Sequence, residues 1–353
     1  MKRSRYWMII SFLVFSFFSL EAKANKFYHT RYGKIHIEKI RRPLFTQIDG
    51  KCRTVEQDVT MYCHDKLCFL WENPEGKYEE KPLKKSRVLA MLNVLQVYID
   101  SAMEITAYTP KKISWSTIKG KDGKTRHWMI ETPRELCPGY GGAGYNGQAW
   151  VAIPKSFFYE FYNTIYKETP VVPFIYFYEL SRNLYDIKFD NNLDWNLEND
   201  PSKYGFWTVG INGLFGVIFP EIIGVNMQFH GQDIPTFKES KLVHLREYMN
   251  NKKWNFQNTW LKYALPWEKE KGRTKSLDDL ISGLFVYMYD NFGGKIFLKK
   301  FYKEMYKQKN TPSRNDYKLR ARNFIRAVKK ANQSKKDIDS FFKSEMKWNI
   351  VYE

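Results

Sequence analysis

Over residues 25–80 apolar positions alternate with polar ones, as in Lys34-Ile35-His36-Ile37-Glu38-Lys39-Ile40, or gather in brief runs such as Cys68-Phe69-Leu70-Trp71. Turn-forming residues interrupt them at Asp49-Gly50 and Asn73-Pro74-Glu75-Gly76. Successive side chains of a strand point to opposite faces, so this period of two predicts a β-rich region. From Ser86 the period lengthens: Val88, Leu89, Leu92, Leu95, Val97, Ile99 and Met103 form a wide apolar stripe at helical spacing. A helix reaching about residue 106 is expected, with Ser86 as its N-cap. Strands are predicted over 112–118 and 127–132 around a turn at Asp122-Gly123, followed by a glycine-rich loop over 139–147 and a strand over 148–153. Helices are predicted over 155–166 and 172–187. Beyond Asp200-Pro201 the pattern is helical, over 213–223, 240–250, 276–291, 295–306, 316–331 and 336–343. Ser276-Leu277-Asp278-Asp279 reads as a helix start with its acids favourably placed in the first turn. The fold class expected is α+β: a small β-rich N-terminal region over 25–84, an α/β part over 85–200 and a mainly α-helical C-terminal half over 201–353.

Composition adds compartment and charge. The first 24 residues read as a secretory signal, with Lys2, Arg3 and Arg5 ahead of an apolar run and Ala22-Lys23-Ala24 as the cleavage site. That run is shorter than the roughly 20 residues a bilayer span needs, and no later segment is expected to be long and apolar enough to span, so no membrane span is expected after cleavage. A hydrophobic content of 43% with 17% aromatic residues excludes disorder as the default. The formal charge of +19 falls to about +16 without the signal, which favours anionic partners such as an envelope surface or acidic glycans. Lysines are spread along the chain and no recognition module accompanies them, so specific nucleic-acid binding is not expected. Cys52, Cys63, Cys68 and Cys137 in an exported chain point to two disulfides with three possible pairings, because the spacing lacks the Cys-x2-Cys units of a zinc knuckle. The expected location is secreted, periplasmic or extracellular.

Candidate chemistry lies in Phe174-Ile175-Tyr176-Phe177-Tyr178-Glu179-Leu180-Ser181-Arg182-Asn183. On a helix, residues 178 and 182 share a face and residue 179 sits about 100° around from 178. His-Glu-x-x-His uses this spacing to bring two imidazoles to zinc and a glutamate to the zinc-bound water. Here the frame reads Tyr178-Glu179-x-x-Arg182. The order of a helix, strands, a glycine-rich loop, an edge strand, this motif helix and a helical half resembles the gluzincin superfamily of zinc metallopeptidases, in particular secreted members that act on glycoproteins or in extracellular spaces. The resemblance spans roughly residues 86–342 and implies that 85–200 is a gluzincin-like α/β subdomain. It puts Glu179 at the general base, Tyr178 and Arg182 at the two histidine ligands, and Glu221 at the third ligand, with Glu198 as a rival nearer in sequence. It also makes 148–153 the edge strand of the substrate cleft, bringing Tyr145, Gln148 and Trp150 to the site.

Elementary chemistry argues against a metal in that frame. A guanidinium is a donor only and stays protonated, so Arg182 would repel zinc, and a phenol with a reference pKa near 10 is a poor ligand. No cofactor is therefore expected. Arg182 is expected to stand in for the cation, bridging Glu179 and Glu221, while Asn183 bonds Glu179 one turn on. The glycine-rich loop lacks the context of a phosphate or dinucleotide loop, and the six histidines have no ligand spacing. Tyr140, Tyr145, Trp150, Trp195, Tyr204 and Trp207 are candidate sugar-stacking platforms. The leading expectation is a metallopeptidase-like protein without peptidase activity that binds a peptide, glycoprotein or anionic glycan in the former cleft. The alternative is an active peptide or glycan hydrolase using Glu179 as base, with Tyr178 and Arg182 in place of the metal.

Overall fold

The computed structural model describes residues 34–352 apart from 50, 65, 73–82, 112–117, 122, 127, 134–142, 145–146, 186–188, 190–192, 194–205, 230, 262–276 and 309–315. The protein is α+β, with one larger sheet in the N-terminal half and helices dominating the rest. The candidate signal lies outside the described residues.

The alternating N-terminal pattern forms β1 (His36–Ile48) and β2 (Lys51–Cys63), an antiparallel hairpin in which His36 faces Cys63 and Ile48 faces Lys51. Asp49 takes the left-handed conformation at φ 51 that so tight a turn requires, one that an aspartate tolerates. β3 (Leu67–Glu72) pairs antiparallel with β2 and sets Cys68 opposite Cys63. The two form a disulfide at a Cα separation of 4.1 Å. Cys137 and the side chain of Cys52 lie outside the described residues. After a small hairpin of β4 (Ile118–Lys119) and β5 (Thr125–Arg126), whose turn holds Gly123 at φ 76, β6 (Trp128–Thr132) pairs parallel with β3. The sheet ends with β7 (Ala143–Gly144) antiparallel to β8 (Trp150–Ala152), in the order β1-β2-β3-β6-β8-β7. The N-terminal strands are thus half of a sheet completed by strands beyond residue 85.

Strand alternation divides this sheet between two cores. Phe69, Trp71, Ile130 and Val151 join the main core, while Leu70, Met129, Trp150, Ala152 and the buried disulfide form a second core with Leu44, Val59 and Met61. Burial of both faces explains why β3 reads as a continuous apolar run.

On the main-core side lies α1 (Lys85–Thr106). Its N-cap is Lys84 rather than Ser86: the Lys84 carbonyl accepts from Arg87 and Val88, and its own N–H donates to the Tyr162 hydroxyl at 2.8 Å. Contrary to the sequence expectation, α1 is long and apolar enough to cross a membrane, yet 72% of its apolar window is buried in the protein. Enclosure by neighbouring elements accounts for that hydropathy. Next come α2 (Lys155–Thr164), the strand β9 (Val171–Pro173) and α3 (Phe174–Arg182). The motif helix is shorter at both ends than its pattern predicts. At its start, residues 171–173 pair instead with β10 (Asn226–Gln228). The remaining major helices are α4 (Phe206–Ile223), α5 (Ile234–Asn250), α6 (Leu277–Phe292), α7 (Gly294–Tyr306) and α8 (Tyr317–Ala331).

Candidate functional site

Helix α3 is seated by polar ties at one end and aromatic packing at the other. The Ser181 hydroxyl donates to the Tyr178 carbonyl at 2.7 Å and lies 2.8 Å from the Asn212 side chain on α4. Phe174, two turns earlier, lies on Gly216 of α4, where a methyl group would run into its ring. The helices are therefore antiparallel. Tyr98 of α1 donates to the Phe177 carbonyl at 2.8 Å. Beyond the C-terminal end, Gly147 donates to the Arg182 carbonyl at 3.0 Å and Asn183 donates through Nδ2 to the Trp150 carbonyl at 3.1 Å. These bonds attach the motif to the β7–β8 connection.

Glu179 is 3% exposed, and its Oε2 meets Arg182 Nη1 at 3.4 Å. Burial raises the Glu179 carboxyl above the usual range despite the opposing guanidinium charge. Burial acts to lower Arg182, but the charges of Glu179, Tyr185 and Tyr178 outweigh it and hold the guanidinium protonated. Burial first, then Glu179, pushes the Tyr178 phenol well above its ordinary value. A further acid, Asp278, acts on Tyr178 from the first turn of α6. Its Oδ1 is sealed from solvent and has no hydrogen-bond partner among the described residues. Burial, followed by the charge of Asp279, pushes Asp278 up to about 6, with Lys241 opposing. Lys241 forms an ion pair with Asp279 and lies 4.8 Å over the Phe237 ring. Phe174 links Tyr178 at 5.6 Å to an aromatic group with Phe229 and Phe237 at 5.0 and 4.8 Å. The site therefore combines two carboxyls raised by burial, a phenol, a fixed cation and an aromatic wall.

The close approach of α6 makes this possible. At Gly213 an added methyl would strike the Ser282 hydroxyl, and Ser282 donates to the Gly210 carbonyl at 2.8 Å. Asp278 reads locally as a helix-start residue, so its electrostatic effect on Tyr178 was not expected from the sequence. Its only sequence signal was the Asp278-Asp279 pair entering an apolar helix.

Several expected site residues sit elsewhere. Glu221 is exposed and its charge acts on Tyr289, not on the pair. It lies nine residues beyond Asn212 on α4, roughly 13 Å along the axis at the usual rise, on the far side of Phe174 from Ser181. Asn183 ties to Trp150 and makes no bond to Glu179. The 148–153 strand is β8, an inner strand, because the glycine-rich segment supplies β7 as the edge. Trp150 is buried in the second core, away from the core that holds α3, and Gln148 is half-buried in an isolated bridge with Lys111. Trp207 is buried 5.8 Å from Trp260, so it offers no open platform. Tyr140, Tyr145, Trp195, Glu198 and Tyr204 lie outside the described residues. His64 is buried and its Nδ1 accepts from Lys66 and Leu67 at 3.0 and 3.1 Å, a turn-holding role.

Tyr178 and Arg182 do not fit zinc: a protonated guanidinium and a phenol pushed upward offer it no anionic donor. No group of three or more His, Cys, Asp or Glu side chains converges as a metal site among the described residues. No family model and no curated protein matches the chain. Among solved structures, a functionally unknown conserved protein from Bacillus anthracis str. Ames, crystallised as a mutant, is similar with a TM-score of 0.46 and 12% identity. The match covers 82% of this chain and 49% of that one, so the chain spans about half its length.

Proposed function

We propose that the chain is an exported, metallopeptidase-like protein whose catalytic zinc has been replaced by an internal ion pair, and that it binds a peptide or glycoprotein segment beside α3. The observation that carries this reading is the buried Glu179 held by Arg182 Nη1 at 3.4 Å. A carboxylate at the place of a general base is neutralised by a side chain that cannot ligate metal. The half-buried Tyr178 and the Phe174, Phe229 and Phe237 group favour an apolar or aromatic side chain as the anchor. Glu179, Asp278 and Asp279 disfavour an anionic glycan there. The Cys63–Cys68 disulfide is compatible with an oxidising compartment.

Metal analysis of the purified protein, combined with peptide and glycan hydrolysis screens of wild type and Glu179→Gln, tests the proposal. The expected result is substoichiometric zinc and no Glu179-dependent turnover. One zinc per chain defeats it. A second reading, a metal-free hydrolase, is favoured by Asp278 at about 6, which keeps a proton donor available near neutral pH. Turnover that disappears in both Glu179→Gln and Asp278→Asn would establish that reading instead.

A further inference from the structure

A second site lies away from α3, where the segment following α5 meets the C-terminal connection. Lys252, Trp254, Asn255, Phe256, Gln257, Lys347 and Asn349 line a cleft of about 510 Å³, within the ~300–1,000 Å³ range of small-ligand sites. Its walls are fixed. Asn255 and Asn258 exchange side-chain-to-backbone bonds at 2.9 and 3.1 Å, and Asn258 Nδ2 donates to the Lys253 carbonyl at 2.9 Å. Phe256 donates its N–H to the Lys347 carbonyl at 3.4 Å and packs its ring 4.9 Å from the buried Trp348.

Lys347 is the most constrained of these residues. Its backbone holds φ 55, a left-handed conformation that is costly for a lysine and is maintained by its surroundings. Its Nζ donates to the Tyr248 and Asn251 carbonyls at 2.7 Å each and lies 4.8 Å over the Tyr248 ring. An ammonium has three N–H donors, so one remains. Burial lowers the Lys347 pKa with no carboxylate to offset it. Neither Lys347 nor the exposed Lys252 forms an ion pair among the described residues, and no acid is among the cleft's described lining.

We infer that this cleft is a binding site for an acidic saccharide, distinct from the α3 site and independent of its assignment. Trp254 lines the cleft half-buried, and its indole is the aromatic group against which a sugar ring would pack. Gln257 and Asn349 provide amides that both donate to and accept from hydroxyl groups, and Asn255, whose Oδ1 holds the Asn258 N–H, adds its Nδ2 donor. Lys347 is a preset cation for a ring carboxylate, and Lys252 is an exposed one. A nucleic-acid strand is less suited, because the described lining pairs three amides with ammonium groups and has no guanidinium fork.

The test titrates the full chain with trigalacturonate, with an uncharged β-1,4-galactotriose and with a thymidine oligonucleotide, following tryptophan fluorescence and hydrogen exchange. Trigalacturonate is expected to bind at least about tenfold more tightly than the neutral trisaccharide, protecting residues 252–257 and 347–349. Lys252→Glu should weaken trigalacturonate about tenfold with an unchanged melting temperature, and Gln257→Ala with Asn349→Ala should weaken both sugars. The inference is overturned by absence of trigalacturonate binding, by affinity indifferent to Lys252→Glu, by protection centred on 174–182, or by preference for the oligonucleotide. Since none of these readouts depends on zinc or Glu179, failure here leaves the α3 proposal standing, and the converse also holds.

Discussion

The Glu179–Arg182 pair and the Lys252–Lys347 cleft are both charged, but they place their charge in opposite settings. On α3 a carboxylate at 3% exposure is matched by a guanidinium on the next turn, whose side chain is 34% exposed. In the cleft two ammonium groups have no acid partner among the described residues, and only Lys347 is anchored, through carbonyls. A buried charge must be compensated within the protein, whereas a charge at a cleft rim can be compensated by a ligand. The first arrangement ties electrostatics to folding. The second leaves them available for recognition.

Removing the compensating charge on α3 should have the largest effect. Arg182→Leu should cost about 2 kcal/mol in urea denaturation at neutral pH, less than the ~3–5 kcal/mol of a fully buried pair because Arg182 is partly hydrated. Adding Glu179→Gln should recover much of that loss, since no unpaired carboxylate remains. If Arg182→Leu is neutral, the pair is an ordinary surface contact. A smaller effect is expected where α3 is seated: Gly216→Ala forces its methyl against the Phe174 ring, at about 1–2 kcal/mol in the same measurement.

The pH dependence sharpens the contrast next. Burial raises both Glu179 and Asp278, so the folded chain binds these protons more tightly than the unfolded chain. Their stabilisation is full below the unfolded carboxylate value of about 4 and is lost as pH rises through the folded value, which for Asp278 is about 6. Asp278→Asn should therefore flatten the fall in melting temperature between about pH 4 and pH 6, with Asp279, Lys241 and Tyr178 unchanged. An undiminished slope would place the titration elsewhere. The smallest effect belongs to the cleft: Lys252→Gln should shift stability by less than about 0.5 kcal/mol, because Lys252 has no partner among the described residues.

Local pattern made much of this fold legible. Alternation in 34–40 and the apolar run 68–71 correspond to β1 and β3, the apolar stripe from Val88 to Met103 corresponds to α1, and the helix expected over 316–331 corresponds to α8. The Glu179–Arg182 contact was equally legible, because a spacing of three brings side chains together on any helix. These features depend on neighbours within one or two turns, and such neighbours are written in order along the chain.

Packing between distant segments decided the rest. Glu221 reads as a partner for Arg182 until α4 lies antiparallel to α3 and carries it out to solvent near Tyr289. Trp150 reads as a cleft residue until β7 takes the edge and its ring enters the second core. Asp278 reads as a helix-start acid until the close contact of Gly210 and Gly213 with α6 brings its charge to act on Tyr178. In the cleft, Lys252 and Lys347 come together across 95 positions of sequence because Lys347 Nζ binds the carbonyls of Tyr248 and Asn251. Periodicity specifies which face of an element is apolar, but it does not specify which other face will meet it. The order of strands in the sheet and the depth to which helices approach supply that choice, and with it the charges each site contains.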